Sequence, residues 1–253
     1  MYNREKYILS DSPIKNDLLK LFEKNQRLII MDIGGCEGED SIRYARIFPA
    51  SSIFVFEPLP SNQTILLNNI KKYNVTNLEL IPFALSDEEG FQRFHVSSGH
   101  PENQNIDLDW DFGNKSSSLL PPDKHMDLVP WIKFEEAITV TTITLNNFLK
   151  QRNIKEVDFI HMDVQGAELK VLLGAASCIE NIKALWLEVA DVTLYKNQPT
   201  RSDIENFMKK SGFYLHKTNM NGKIGDQMYL NRKYFETPPL FSLKRIFHFI
   251  TKQ

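Results

Sequence analysis

The chain of 253 residues carries 30 lysines and arginines against 32 aspartates and glutamates, a net charge of −2, and 42% of its residues are hydrophobic. That length fits one large α/β domain with room for an insertion and a tail, and the even charge balance lacks the basic face that a nucleic-acid partner requires. Two cysteines, Cys36 and Cys178, are too few for a disulfide scaffold and point to a reducing, cytoplasmic setting. The charged N-terminus has no signal-peptide pattern, and no apolar run approaches the ~20 residues of a spanning helix.

Residues 1–27 read as a lead-in helix, opened by Asp11-Ser12-Pro13 and striped by Leu18, Leu19, Leu21 and Phe22. The main domain then runs over 28–235. Its first segment is an apolar run from Leu28 to Ile33 interrupted by Asp32, followed by Gly34, Gly35 and Gly38. This predicts a buried parallel strand turning tightly into a helix over 38–48, which Pro49 stops. A second strand over 52–57 ends on Glu57-Pro58, a helix covers 60–73, a third strand covers 78–81, and an alternating strand follows at 91–96. Residues 97–137 break the rhythm. They are polar, yet carry Trp110, Phe112 and Trp131, which predicts a substrate lid or wall.

Pattern resumes at 138–145, with a helix through Gln151 and a strand over 157–163 closing on His161-Met162-Asp163. A helix through Gly174, a strand at 184–189, a helix from Ser202 to Lys210 and an antiparallel pair at 213–216 and 226–230 complete the domain. Ser202 and Glu205 have the spacing of a capping box. The tail, 236–253, sets apolar residues at 240, 243, 246, 247 and 250 among basic ones. That stripe fits a docking helix better than contact with a membrane surface.

The glycine turn has the spacing Gly34-x-x-x-Gly38 and lacks the Gly-x-Gly-x-x-Gly of pyrophosphate-binding folds. Asp32 beside it would repel a pyrophosphate and attract a cation or ammonium. Those features suit S-adenosylmethionine. Glu57, 25 residues beyond Asp32, is placed to accept both ribose hydroxyls. In an open α/β sheet the crevice lies at the carboxyl ends of the strands, where Asp163 falls, with His161 on the same strand face. Two routes follow for removing a proton from an acceptor. Either Asp163 or His161 is a general base, or Asp163, Glu188 and Asp191 hold a divalent cation such as magnesium. The metal-free route is preferred.

The stretch His161-Met162-Asp163-Val164-Gln165-Gly166-Ala167-Glu168 through Gly174-Ala175 resembles the Lys-x-Asp-Val-Glu-Gly-x-Glu segment of the FkbM-type methyltransferases. Matches at Asp32-Ile33-Gly34, Phe56-Glu57-Pro58, Phe83-Ala84-Leu85, Ser117-Ser118-Leu119 and Leu187-Glu188-Val189 support it. The resemblance implies a class I methyltransferase, Rossmann-like fold: a seven-stranded, mostly parallel sheet with an antiparallel last strand and helices on both faces. It also implies S-adenosylmethionine as donor, held by Asp32, Gly34, Gly35, Gly38, Glu57, Pro58, Ala84, Ser117, Ser118 and Asp163, and an acceptor that is a sugar hydroxyl of a glycan or glycosylated small molecule. His161 and Gln165 stand where the family commonly has Lys and Glu. The competing reading is a non-catalytic module that binds S-adenosylmethionine or S-adenosylhomocysteine and serves a partner. A nicotinamide-linked oxidoreductase is disfavoured by the glycine spacing, and nucleic-acid N-methylation by the lack of an Asn/Asp-Pro-Pro-Tyr box.

Overall fold

The computed structural model describes residues 4–101 and 110–235. Two short helices lead in, α1 (Arg4–Leu9) and α2 (Lys15–Leu21). The lead-in region, expected as one helix, is broken at Pro13, whose ring and missing N–H do not continue a helix begun upstream. The chain then alternates through β1 (Ile29–Ile33), α3 (Glu39–Ile47), β2 (Ser52–Phe56), α4 (Pro60–Lys72) and β3 (Leu78–Ile81). Next come β4 (Ala84–Leu85), β5 (Gly90–Ser98), a 3-10 turn at Phe112–Ser116, α5 (His125–Leu128), β6 (Lys133–Ile143) and α6 (Leu145–Gln151). The last part holds β7 (Val157–Met162), α7 (Glu168–Gly174), β8 (Ile182–Ala190), α8 (Arg201–Lys210), β9 (Phe213–Asn221) and β10 (Ile224–Asn231).

Seven strands form one sheet in the order β3-β2-β1-β7-β8-β10-β9. Neighbours from β3 to β8 are parallel, and β10 runs antiparallel to both β8 and β9. The chain winds outward from β1 to β3 and later returns to β1's other edge with β7, so the helices after β1 and β7 diverge and leave a crevice between them. Ile30, Met31, Ile33, Phe159, Ile160 and Met162 are all buried, as strands covered on both faces require. Strand alternation sorts them into two cores. Met31, Ile33, Phe56 and Phe148 pack on one face, and Ile30, Tyr44, Phe48 and Phe159 on the other. Asp32 and His161 are paired across β1 and β7 on that second face, at its carboxyl end.

A smaller sheet, β4-β6-β5, stands beside the main one. Strand β6 begins at Lys133, five residues before the pattern predicts, and pairs with β5 as far as Ser98↔Lys133. Its first rungs are solvent-facing, with Lys133, Glu135 and Glu136 exposed, so the outer half has no apolar alternation to reveal it. Helix α8 is capped two residues earlier than expected: the Thr200 N–H and hydroxyl both donate to Asp203 Oδ2, at 2.8 and 2.7 Å. The tail, with its expected docking helix or membrane contact, lies outside the described residues. Among the described residues no helix is long and apolar enough to cross a membrane.

Candidate active site

The turn after β1 is shaped by what surrounds its glycines. Gly34 has φ +85°, and a Cβ there would overlap the Asp163 carbonyl oxygen; a Cβ on Gly35 would meet Val55. Both N–H groups donate to Phe56 O, at 3.0 and 3.1 Å, stitching the turn to β2. Gly38 caps α3. The next contact fixes Glu57. Its Oε2 accepts from Cys36 N at 2.9 Å and its Oε1 from Leu59 N at 2.7 Å. Burial pushes the Glu57 carboxyl up to about 8, against the pull of those two N–H donors. Asn62 also bonds the carboxyl, and Glu57 borders the cleft, where a hydroxyl can meet it.

The cleft has two adjoining lobes. The larger, about 530 Å³, is bordered by Glu57, Pro58, Asn62, Ala84, Leu85 and Ser117 among others. The smaller, about 430 Å³, is bordered by Tyr7, Asp32, Gly35, Glu39, Asp40 and His161. Gly34, Cys36, Lys115 and Asp163 belong to both. Eight of the ten expected donor residues therefore border this cleft, and two do not. Gly38 is the helix cap. Ser118 is fully buried, its hydroxyl donating to Gln165 O at 2.8 Å and accepting from Leu120 N at 3.0 Å.

The two expected bases have different surroundings. His161 Nδ1 donates to Asp32 Oδ1 at 3.0 Å, Asp32 Oδ2 accepts from the Ser41 hydroxyl, and the Tyr44 ring packs edge-on to the imidazole at 5.7 Å. Burial alone would lower the imidazole. The hydrogen bond and charge of Asp32, with Asp40 and Asp163 behind it, overcome that and hold it at about 9. At neutral pH His161 is then an imidazolium, the counter-ion of Asp32, and has no lone pair to take a proton.

Asp163 hangs just beyond β7, its N–H donating to Ile33 O at 3.0 Å. Burial raises its carboxyl above the ordinary range, opposed by the Gln165 hydrogen bond and the charges of His161 and Lys115. Gln165 Nε2 reaches both Asp163 Oδ1 at 2.8 Å and Glu188 Oε2 at 3.2 Å, while its Oε1 accepts from Tyr195 at 3.0 Å. Glu168 curls back so that its Oε1 accepts from Val164 N and Gly166 N, at 3.1 and 3.2 Å. Burial, with the charge of Asp163, pushes Glu168 up to about 7.

For the cation alternative, the carboxylates that converge are Asp163, Glu168 and Glu188, with ligand atoms within 4.8 Å of one another. Asp191 stands apart and accepts from Arg201 Nε at 2.9 Å. Sequence reasoning named neither Tyr7 nor Lys115 for the cleft. Lys115 is 76 residues from its partner Glu39, and the only local sign is its place beside Ser116-Ser117-Ser118 in a segment expected to wall the site.

The sheet order, the antiparallel β10, the open glycine turn and the acid ending β2 together define a class I methyltransferase. Residues 32–215 match the model of the methyltransferase FkbM domain, and the chain belongs to that family. It is similar to the 2-O-methyltransferase NoeI of Sinorhizobium fredii, 29% identical over 197 residues, covering 78% of this chain and 77% of that protein. It is also similar to methyltransferase 1 of Beauveria bassiana, 25% identical over 146 residues and 57% of each chain. Among solved structures, magnesium protoporphyrin IX methyltransferase (ChlM) from Synechocystis PCC 6803 shares the fold, with a TM-score of 0.50, 10% identity and coverage of 86% of this chain and 76% of that one. The methyl donor is S-adenosylmethionine, and the residues present suit it: bare glycine backbone, the Glu57 carboxyl at the cleft wall, and acidic side chains for the ammonium and sulfonium.

Proposed function

We propose that the chain is an O-methyltransferase that methylates a sugar hydroxyl of a glycan or glycosylated small molecule, with Asp163 as the general base. The observation that carries it is the position of Asp163: one carboxylate bordering both lobes, aimed by Gln165 and raised by burial toward the pH at which it must work. Transfer to oxygen accords with the name of the Sinorhizobium relative. Bound in the cleft, S-adenosylmethionine supplies an electrophilic methyl group on sulfur, open to in-line displacement by an oxygen.

The chain's own residues do the rest. Glu57 accepts the ribose hydroxyls, and Asp32, neutralised in part by His161, faces the ammonium. Asp163 takes the proton of the acceptor hydroxyl through Oδ2, because Oδ1 is occupied by Gln165. On the sugar side, Asp40 borders the smaller lobe as an acceptor for hydroxyls, and Asp226 lies close enough to feel the charges of Asp163, His161 and Asp40.

The convergence of Asp163, Glu168 and Glu188 favours a second reading in which a hard divalent cation acidifies the hydroxyl. The amide nitrogen of Gln165 already lies between two of those carboxylates, and Glu168 is engaged by two N–H groups. A cation would have to displace those donors, so the metal-free route stands first. The test is transfer of labelled methyl from S-adenosylmethionine to a panel of glycosides. Asp163→Asn should bind the donor as wild type does and lose ~100-fold or more in kcat. Normal turnover in Asp163→Asn would remove it from the mechanism.

A further inference from the structure

The charges around the cleft are lopsided. Among the described residues bordering its two lobes there are five carboxylates, those of Asp32, Glu39, Asp40, Glu57 and Asp163, while the lone lysine or arginine is Lys115. His161, the other cation, is committed to Asp32. Asp40 is paired with Arg43, and burial raises Glu57 and Asp163; a donor with an amino-acid end brings one more carboxylate to this acidic cleft, which calls for a cation beside it.

Lys115 is the group that answers this. It lies on the 3-10 turn Phe112–Ser116 where the two lobes meet, with its side chain 27% exposed. Its Nζ is paired with Glu39 and ringed by Tyr7, Trp110 and Phe112, with centroids at 5.6, 5.4 and 6.0 Å. Burial works against the ammonium, and Cys36 and Glu39 outweigh it, keeping Lys115 charged. An ammonium has three donors; one is directed at Glu39 and a second reaches Cys36 Sγ at 4.0 Å, which leaves one for a ligand. Ser117 and Ser118, expected among the donor-holding residues, are engaged elsewhere: Ser118 with Gln165 and Leu120, Ser117 with Ser97.

Building on S-adenosylmethionine as donor, we infer that Lys115 binds the α-carboxylate of the donor's amino-acid end, with Glu39 as the ammonium's resident, competing counter-ion. The test compares calorimetric dissociation constants for S-adenosylhomocysteine, its decarboxylated analogue and 5′-methylthioadenosine. Wild type should prefer the carboxylated ligand to the decarboxylated one by about 10- to 100-fold, the range of a charge-assisted hydrogen bond. Lys115→Gln should collapse that preference and leave the other two affinities in place, and Lys115→Arg should keep most of it. Equal weakening of all three ligands by Lys115→Gln, or weakening of none, overturns the assignment.

Should Lys115→Gln fail to fold, Glu39→Gln decides. Freeing the ammonium of its competing carboxylate should widen the preference, and a preference that is unchanged or smaller overturns the assignment. Wild type that binds none of the three ligands would instead refute the donor reading, and the assignment with it.

Discussion

Replacing His161 by Gln isolates the charge pair at the heart of the sheet. Gln keeps a donor for Asp32 Oδ1 but cannot carry the proton. The imidazole rises from 6.5 to about 9 on folding, and at 1.36 kcal/mol per unit this is about 3 kcal/mol of stability. His161 is raised above its unfolded value, so that stability is whole below pH 6.5 and drains away as pH climbs through 9. Urea unfolding at pH 6, 7.5 and 9.5, followed by tryptophan fluorescence, reads it directly. The stability advantage of wild type over His161→Gln should shrink by about 3 kcal/mol across the series, on the order of 6–12 °C in Tm for a chain of this size. Glu57 and Glu168, raised to about 8 and 7, also lose stability with rising pH, a loss common to both proteins, while Asp163 and Asp226 feel the imidazolium charge and rise further in His161→Gln. Parallel curves, or an advantage that grows toward pH 9.5, would refute the imidazolium assignment and return His161 to the list of bases.

Glu57→Gln should weaken donor binding by about 10- to 100-fold in calorimetry, since it removes a carboxyl oxygen from the hydroxyls and sets an amide NH2 against Cys36 N or Leu59 N. Ser118→Ala should lower unfolding free energy by ~1–3 kcal/mol through the lost bonds to Gln165 O and Leu120 N. Its donor affinity should stay within a few-fold of wild type, and a selective loss of that affinity would give Ser118 a direct binding role. Exhaustive chelation should leave turnover unchanged; a loss restored by magnesium would bring the Asp163, Glu168 and Glu188 group forward.

Strands β1 and β7 were legible because a parallel strand buried on both faces must be apolar along its length, so Asp32 and Asp163 stand out as exceptions with a purpose. The glycine turn was legible for a similar reason: Gly34 has a backbone that admits no side chain. The identity of the acids around Asp163 was not. Asp191 follows β8 directly, but the chain there turns toward α8 and Arg201. Glu168 reaches the cluster only because Gln165 and Gly166 take φ +54° and +91° and curl the chain back. No periodicity encodes that turn. Tyr7 and Lys115 were hidden differently, since each enters the cleft from a segment far along the chain whose polar composition records only exposure.

The segment from 99 to 132 departs from Ser98 and returns at Lys133, and these two residues face each other on the β5 and β6 ladder. The described part of that segment is nonetheless anchored beyond the small sheet: the Ser118 hydroxyl donates to Gln165 O, Asn114 Nδ2 to Asn62 Oδ1 and Glu37 Oε1, and the Tyr195 hydroxyl to Ser116 O. The same segment carries Lys115 to the edge shared by the two lobes. A graft that replaces it must therefore restore those ties as well as the lysine.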